Sequence, residues 1–447
     1  MAAEWTELAL EDCMSAIIDY RGKTPRKTPF GIPLITAKTV KGGRVETPDE
    51  FIAAEDYESW MRRGIPHAGD VVVTTEGPLG ETAQLGTERV ALAQRLIALR
   101  GKHDLLDNTY LKFLMQSAGV QDQLRAGATG TTVLGIKQSE LRKILLTLPP
   151  IAEQRAIAHV LGALDDKIEL NRRMNETLEA IARALFKSWF VDFDPVRAKP
   201  EGRDPGLPKP LADLFPDSFE NSEFGQIPKG WGVGAILTQA RLLSGGTPRT
   251  DRPDYWDGDV PWASAKDVSQ SGQAFLVATE RTITREGLEG SATQLIPARS
   301  TVVVARGATT GRMVMFGHDM AMNQTCYALD SLTGTPFALG SVFNTITTST
   351  FSSSRVVLPP RQVLEAFERL VSPEFGRILA GIKGCVSLSA LRDTLLPKLI
   401  SGELRVKDRE PALRREHDGG PQPHTGRGGR AHRDGKTPGG QRGMGLP

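Results

Sequence analysis

Apolar residues in the middle of the chain recur with alternating spacings of four and three positions. The series is Ile157, Leu161, Leu164, Ile168, Asn171, Asn175, Leu178, Ala182, Leu185 and Trp189. This heptad spacing predicts a long helix that packs along another helix, although a long core helix of an ordinary domain has the same pattern. Two asparagines interrupt the apolar series. Buried asparagines in such a seam fix register and partner choice, and the alternative is that this part of the helix faces solvent.

A second, less regular helix is predicted over residues 376–400. Its seam runs through Ile378, Leu388, Leu395 and Leu399. Gly381, Gly384 and Pro397 each lower its helical stability. Because the two helices carry similar seams, we expect them to pair with each other within one chain.

Short β-branched runs bounded by glycine and proline predict strands outside the helices. Examples are Val71–Thr75 and Thr301–Val304. Their spacing is too irregular for a series of βαβ units. The predicted fold class is α+β, with two globular mixed α/β domains separated by two long helices that pair as an antiparallel coiled coil.

Four sequence motifs occur twice in the same order, which indicates an internal repeat. The first copies are GKTP (22–25), IPLITAKTV (32–40), PHAGDVVVTTEGPLG (66–80) and ALAQRLIAL (91–99), and the second are GGTP (245–248), VPWASAKDV (260–268), PARSTVVVARGATTG (297–311) and AMNQTCYAL (321–329). Both copies reach Leu-Pro-Pro, at residues 148–150 and 358–360, after which the offset stays at 210. We expect a globular unit and a helix, duplicated about a pseudo-two-fold axis, with the globular units pointing in opposite directions.

The second copy is about 21 residues shorter between its last motif and the Leu-Pro-Pro. The first copy has a good helical sequence there, DNTYLKFLMQSAGVQDQL, so we expect the second domain to lack that helix. The predicted segments are a first domain (1–147), a first helical spacer (148–192), a Pro-rich linker (193–222), a shortened second domain (223–357), a second helical spacer (358–405) and a disordered tail (406–447).

Charge alone does not identify a partner. The chain has 55 basic and 53 acidic residues, a net charge of +2. The tail holds nine Lys/Arg and five Asp/Glu and so carries +4, which leaves −2 for the rest of the chain. A nucleic-acid partner therefore requires local concentration of basic groups or contacts from other subunits.

The cysteines and the first residues indicate an intracellular setting. Cys13, Cys326 and Cys385 lie far apart, with no spacing typical of a disulfide framework or a zinc site. The opening MAAEWTELALEDC has no basic segment followed by an apolar run, and no stretch reaches the roughly 18 apolar residues of a membrane span. We expect a soluble, cytoplasmic protein without a metal or cofactor.

No catalytic motif is evident. The sequence has no Walker A loop, and His67, His103, His159 and His318 lie outside any HExxH or triad-like arrangement. An amino methyltransferase needs a glycine-rich cofactor loop and an Asn/Asp-Pro-Pro-aromatic motif, whereas both Pro-Pro pairs here follow leucine. We therefore expect no catalytic residues in this chain.

Basic and amide residues in the repeated loops are candidate DNA contacts. Arginine and lysine suit phosphates and guanine edges, and glutamine and asparagine suit adenine. For each residue the alternative is a solvated surface charge or a structural hydrogen bond. The candidates are Lys23, Arg26, Lys27, Lys38, Gln94, Arg249, Arg252, Lys266, Arg306, Asn323 and Gln324.

The first helix is long enough to hold two DNA-reading domains apart. Residues 165–190 span roughly 39 Å at a rise of about 1.5 Å per residue. One turn of B-DNA is about 34 Å, the distance at which symmetric readers meet the same groove. The length permits a two-headed DNA reader.

The stretch LPPIAEQRAIAHVLGALDDKIELNRRMNETLEAIARALFKSWFVDFDP closely resembles the central conserved region of the specificity (S) subunit of type I restriction-modification systems. The alternation of globular domain and helix resembles the same family over residues 1 to about 405. The resemblance implies two target recognition domains that each read half of a split DNA sequence. It also implies conserved helices that measure the gap and dock two modification (methyltransferase) subunits and, through them, the restriction subunits. The residues expected to serve partner binding are Ile168, Asn171, Asn175, Leu178, Leu185, Trp189, Ile378, Leu388 and Leu395.

The sequence departs from the family pattern in its second half. The second helical region lacks the Ile-Ala-Glu-Gln-Arg run that follows Pro150, and the second domain lacks the usual helix before residues 340–347. The alternative interpretation is a coiled-coil scaffold with two heads that bind something other than DNA. An isolated enzyme is a third, for which we expect no methyl transfer by the purified chain.

Overall fold

The computed structural model describes residues 5–20, 24–332 and 346–406. The first globular region consists, in chain order, of β1 (Thr6–Ala9), α1 (Leu10–Cys13), β2 (Met14–Asp19), β3 (Lys27–Thr28), β4 (Ile32–Ile35), β5 (Val40–Lys41), β6 (Arg44–Val45), β7 (Phe51–Ile52), a 3-10 helix (Ala54–Asp56), α2 (Tyr57–Trp60), β8 (Val71–Thr75), β9 (Leu79–Gln84), β10 (Ala91–Leu92), β11 (Leu96–Gly101), α3 (Asn108–Gln116), α4 (Ala118–Ala126), β12 (Ala128–Thr129), β13 (Gly135–Ile136), α5 (Gln138–Leu141) and β14 (Leu145–Leu148).

The long helix α6 (Ile151–Phe190) follows, and a connecting segment then leads into the second globular region. The connecting segment contains α7 (Asp194–Ala198), α8 (Lys209–Ala212), β15 (Phe219–Ser222) and β16 (Gly225–Pro228). The second region and its long helix consist of β17 (Gly232–Ala235), a 3-10 helix (Ile236–Thr238), β18 (Ala240–Ser244), a 3-10 helix (Pro253–Tyr255), β19 (Trp256–Ala263), α9 (Ala265–Gln270), β20 (Phe275–Leu276), β21 (Arg281–Ile283), α10 (Arg285–Glu289), β22 (Thr301–Val304), β23 (Met313–Phe316), β24 (Ala321–Met322), β25 (Cys326–Ser331), α11 (Thr348–Ser353), β26 (Arg355–Leu358) and α12 (Arg361–Ile400).

The two globular regions share one sheet plan, which confirms the internal repeat. The main sheet has the order β2-β11-β8-β9 in the first region and β18-β25-β22-β23-β20 in the second. A smaller sheet contains a parallel pair in both, β4 with β10 and β19 with β24. In each half a short antiparallel pair, β1 with β14 or β17 with β26, joins the globular region to its long helix.

Leu-Pro-Pro begins both long helices. The N-cap residues are Pro150 and Pro360. Proline suits this position because the first N–H groups of a helix have no intrahelical partner and its fixed φ is already extended or helical. The same dipeptide therefore ends a strand and begins a helix in each half.

The structure shifts by one residue the alignment of the two central strands that the repeated motifs imply. The motifs align Val71 with Val302. In the ladders, however, Val71 pairs with Leu99 and Thr301 pairs with Leu329, so Val71 corresponds to Thr301. The burial pattern agrees with the ladders. Val72 faces the core that contains β4 and β10, and Val302 faces the core beside β24. A slip of one residue turns every side chain of a strand to the opposite face, so the ladder is the correct alignment.

The long helices are antiparallel and pair along most of their length. The Arg392 Nη1 donates to the Asp165 Oδ1 at 2.9 Å, and the rings of Trp189 and Phe367 lie 5.7 Å apart. The predicted start of the second helix at residue 376 was wrong, because α12 begins at Arg361. The helix continues through Pro373, which lies on its exposed side.

The segment predicted as a linker, residues 193–222, is packed rather than extended. Phe193, Val196 and Phe215 are buried in a cluster with Trp189 and Phe367 at one end of the helix pair. The polar and proline-rich composition hid these few apolar anchors. The connection is therefore fixed against the helices.

The first and last described residues meet at the other end of the helix pair. The Arg405 Nη2 donates to the Glu153 Oε2 at 2.8 Å, and its guanidinium lies 5.6 Å from the centre of the Trp5 ring. Gly402, with φ of +76°, lies directly under the same ring. Residues of α6, of the segment that follows α12 and of the first described strand region thus form one junction.

Some predictions fall on residues that are not described. The tail, residues 407–447, and most of the shortened connection, residues 333–345, lie outside the described ranges. Within the described parts of the chain, none of the helices combines the length and apolar character needed to cross a bilayer. Cys13, Cys326 and Cys385 are buried free thiols.

Candidate nucleic-acid interface and helix pair

In the first globular region, two candidate residues follow neighbouring parallel strands. β4 ends at Ile35 beside β10, and the Ala93 N–H donates to the Ile35 carbonyl at 2.8 Å. Parallel strands end at the same edge of a sheet. The structure therefore brings the loops that carry Lys38 and Gln94 together.

The second region repeats this edge. The Asn323 N–H donates to the Ala263 carbonyl at 2.9 Å, so Lys266 and Gln324 also follow paired strand ends. The GGTP turn packs onto this loop. A Cβ on Gly245 would lie 2.2 Å from the Asn323 carbonyl oxygen, which explains why glycine is required there. The candidate loops are thus held in place by backbone contacts.

Four of the candidate cations already have acidic partners. The pairs are Lys27 with Glu50 at 2.7 Å, Arg249 with Asp251 at 2.6 Å, Arg252 with Asp254 at 2.5 Å, and Lys266 with Glu280 at 2.7 Å. The hydrogen bond from Arg252 lowers the pKa of the Asp254 carboxyl. These pairs are solvent-exposed, and exposed pairs contribute little to stability. A phosphate binding to one of these cations would have to displace a carboxylate.

Three candidate cations are exposed and have no partner among the described residues: Arg26, Lys38 and Arg306. Arg306 follows the central strand β22 and precedes Gly307, whose φ is +102°. The ladder register places acidic Glu76 at the corresponding point of the first region, where it pairs with Arg95 at 3.7 Å. Lys23 lies outside the described residues.

The candidate amides differ in their availability. The Asn323 Oδ1 accepts hydrogen bonds from the Thr325 N–H at 3.2 Å and hydroxyl at 2.6 Å. Gln324 hydrogen-bonds the Thr247 hydroxyl of the GGTP turn. Both side chains thus serve the local loop structure, whereas half-buried Gln94 makes no side-chain hydrogen bond within the described chain.

An ion network that the sequence did not reveal links the first globular region to the helix pair. Asp165 of α6 accepts from both Lys112 of α3 and Arg392 of α12. The Lys112 side chain is only 9% exposed. A buried lysine of this kind needs its acid, so Asp165 fixes α3 and α12 on the same stretch of α6.

The two seam asparagines are buried and face glycines. Asn171 and Asn175 are 7% and 6% exposed, so the solvent-facing alternative is wrong. A Cβ on Gly381 would lie 2.4 Å from the Asn175 Oδ1, and one on Gly384 would lie 3.3 Å from the Asn171 Nδ2. The glycines that weaken α12 as an isolated helix thus make room for asparagines of α6. The Asn175 Oδ1 is buried and has no hydrogen-bond partner among the residues that the structure describes.

The residues expected to serve partner binding lie mainly inside the helix pair. Ile168, Asn171, Asn175, Trp189 and Ile378 are buried, and Leu178, Leu185, Leu388 and Leu395 are half-buried. The buried side chains hold the two helices together, and the assignment of these nine residues to partner binding stays a prediction.

The architecture defines a class: two copies of one mixed α/β domain mounted on an antiparallel pair of long helices. The family model for the type I restriction modification DNA specificity domain matches residues 4–180 and 228–340. The two matched stretches make up more than half of the chain. The chain belongs to this family of type I restriction-modification specificity subunits, which confirms the resemblance seen in its helical region.

Individual relatives agree. The chain is 28% identical over 323 residues to the type I restriction enzyme HindI specificity subunit of Haemophilus influenzae, covering 58% of this chain and 69% of that protein. It is 25% identical over 366 residues to the MjaIX specificity subunit of Methanocaldococcus jannaschii, covering 76% and 78%. The crystal structure of a type I restriction-modification S subunit from M. genitalium has the same fold, with a TM-score of 0.54, 15% identity, and coverage of 88% of this chain and 96% of that one.

Proposed function

We propose that this protein reads a bipartite double-stranded DNA sequence, one half with each globular region. The observation that carries the proposal is the repeated loop edge. Corresponding parallel strands position the loops that carry Lys38 and Gln94 in one half and the loops that carry Lys266 and Gln324 in the other. Loops at a fixed strand edge suit base-edge contacts, and free cations nearby suit phosphates.

The helix pair sets the distance between the two readers. Ile157 packs into the core of the first region, and Phe367, its counterpart at the offset of 210, contacts Trp189. Ile157 and Trp189 are 32 positions apart on α6, roughly 48 Å along the axis. This separation lies between one and two turns of B-DNA, at about 34 Å per turn.

Two modification subunits dock on the helical part, and restriction subunits join through them. The chain outside the tail has a net charge of −2, so the modification subunits supply much of the phosphate contact. In this proposal the chain performs no catalysis itself. Methyl transfer and DNA cleavage belong to the subunits that it positions.

A gel-shift assay with and without co-expressed modification subunit tests the proposal. We expect weak DNA binding by the chain alone and strong binding to a bipartite target by the complex. A scaffold with non-DNA heads would bind the subunit or nothing at all, and would show no sequence-dependent shift. Lys38→Ala should weaken DNA binding and leave co-purification intact, whereas Lys27→Ala, at a cation already paired with Glu50, is the matched control.

A further inference from the structure

One groove in the second half is unfilled by the described residues. A cavity of about 410 Å³ lies between the two long helices and the main sheet of the second region. Phe186 of α6, Phe375 of α12, and Met313 and Met315 of β23 form its apolar walls. The volume is within the range of specific binding pockets, about 300–1,000 Å³.

The repeat identifies what covers the same sheet surface in the first half. Met315 lies opposite Thr301, the first residue of β22, and Gln84 lies opposite Val71, the first residue of β8. The Gln84 side chain hydrogen-bonds the Thr109 hydroxyl of α3 at 3.2 Å. The strand wall of the groove therefore corresponds to the strand under α3.

The helical wall of the groove likewise corresponds to the helix surface that holds α3 in the first half. Asp165 of α6 binds Lys112 of α3. At the constant offset of 210, Asp165 corresponds to Phe375 of α12, which lines the groove. Both surfaces that hold α3 in the first half thus recur in the second half around space that the described residues leave open.

The chemistry of an occupant follows from α3 and from the groove rim. α3 buries Tyr110, Leu111, Phe113 and Leu114 against these surfaces. The rim of the groove carries two exposed arginines, Arg183 and Arg312, against one carboxylate, Glu179, whose charge interacts with Arg183. The Arg312 side chain has no partner among the described residues. A fitting ligand is apolar on one face and acidic beside it.

We propose that this groove binds a short amphipathic helix of a modification subunit, with apolar side chains in the cavity and an acidic side chain paired with Arg183 and Arg312. Laying the apolar face of a helix into a groove is a common mode of recognition. The cavity holds side chains from one helix face, and the helix body lies over it. The inference rests on the proposed function, because it takes its partner from there, and it predicts that the modification subunits bind the two halves differently.

Photo-crosslinking tests the proposal. p-Benzoylphenylalanine is placed at Arg312 in the full chain, which is co-expressed with the modification subunit, irradiated and digested for mass spectrometry. We expect a crosslink to one amphipathic helix of the modification subunit. The matched control carries the same crosslinker at Gln84, where we expect a crosslink to residues of this chain's own α3.

The outcomes separate the two proposals. A complex that co-purifies and binds DNA but crosslinks from position 312 only to this chain's residues 333–345, to a second copy or to nothing overturns the groove inference alone. Failure of the wild-type chain to co-purify with the subunit overturns both. As a second measurement, Arg183→Glu with Arg312→Glu should weaken association with the modification subunit about tenfold at low salt and less at high salt. An unchanged affinity would contradict the rim pairing.

Discussion

In the first half of the molecule, α3 covers the sheet and is tied to α6 through the Lys112–Asp165 pair. In the second half, the corresponding surface is a groove lined by Met313, Met315 and Phe375. Four main-sheet strands keep the same order in both halves, and the junctions to the long helices recur, although the second main sheet has an additional edge strand, β20. The comparison shows that the duplicated frame sets the positions of the candidate DNA loops, while the surface that covers the frame is free to differ.

The largest expected difference between the halves is in packing energy. Phe113→Ala should destabilise the protein by about 3–5 kcal/mol, because Phe113 is fully buried in the core beneath α3. Phe375→Ala, at the half-buried groove wall, should cost only about 1 kcal/mol. Calorimetric melting of both variants checks this, and equal losses would show that the second half is packed like the first.

The ion network around Asp165 should give the second-largest difference in stability. Asp165→Asn leaves the buried Lys112 ammonium without its acid and should cost about 3 kcal/mol. Glu365→Gln breaks an exposed i,i+4 pair with Arg361 and should change stability by less than about 0.5 kcal/mol. Urea unfolding of the two variants measures the contrast. An Asp165→Asn variant as stable as the wild type would show that this ion pair does not anchor α3.

DNA affinity should distinguish free from paired cations. Arg306→Ala should lower the affinity of the complex about tenfold, the scale of one base contact, and reduce specificity at one target position. Arg252→Ala, at a cation held by Asp254, should stay within about twofold. Binding titrations at fixed salt compare them. A larger loss of affinity for Arg252→Ala than for Arg306→Ala would instead place the DNA contact at the GGTP turn.

The glycines of α12 give a smaller effect with opposite signs. Apart from its two chain neighbours and the helix's own backbone, no atom of the described residues lies within 4 Å of the Cβ position of Gly376, so Gly376→Ala should stabilise the helix by about 1 kcal/mol. Gly381→Ala gains the same helical propensity but forces a methyl group against the Asn175 side chain, and should melt below the wild type. A higher melting temperature for both variants would show that the side chains between the two helices rearrange at little cost.

The smallest effect is a pH dependence at the groove. Burial raises the pKa of Glu179, with Glu176 adding to the rise and the Ala274 N–H and Arg183 opposing it. The folded state therefore holds this proton more tightly than the unfolded state, so the carboxyl destabilises the fold as pH rises above its ordinary pKa. Glu179→Gln should melt slightly above the wild type at pH 7, and the difference should shrink as the pH falls toward about 4.5. A difference independent of pH would exclude the charge as its cause.

Much of the plan was accessible from sequence because it depends on periodicity. The heptad positions from Ile157 to Trp189 indicate that α6 packs along another helix. The order of the motifs indicates which strands of the first half correspond to which strands of the second. The one-residue error at Val71 arose because Val-Val-Val matches itself in two registers, and only the ladder with Leu99 and Leu329 decides between them.

Other features depend on contacts between distant residues and left no sequence pattern. Asp165 reads as an ordinary helix-surface acid until Lys112 and Arg392 are seen beside it. Likewise, Gly381 reads as a weak point of α12 until Asn175 is found opposite. The connecting segment is polar and proline-rich, yet it is anchored by the buried residues Phe193, Val196 and Phe215. The sequence predicted which loops carry the candidate DNA residues, but it did not predict which of these residues form ion pairs.

The junction of Trp5, Gly402 and Arg405 makes the described chain a closed loop in space. A circular permutant that joins Val406 to Trp5 by a short tether and opens new termini among the exposed residues 201–204 would keep both strand ladders and the complete helix seam. The order of the two globular regions along the polypeptide can then be exchanged without changing their places in the fold, so either region can be the first to leave the ribosome.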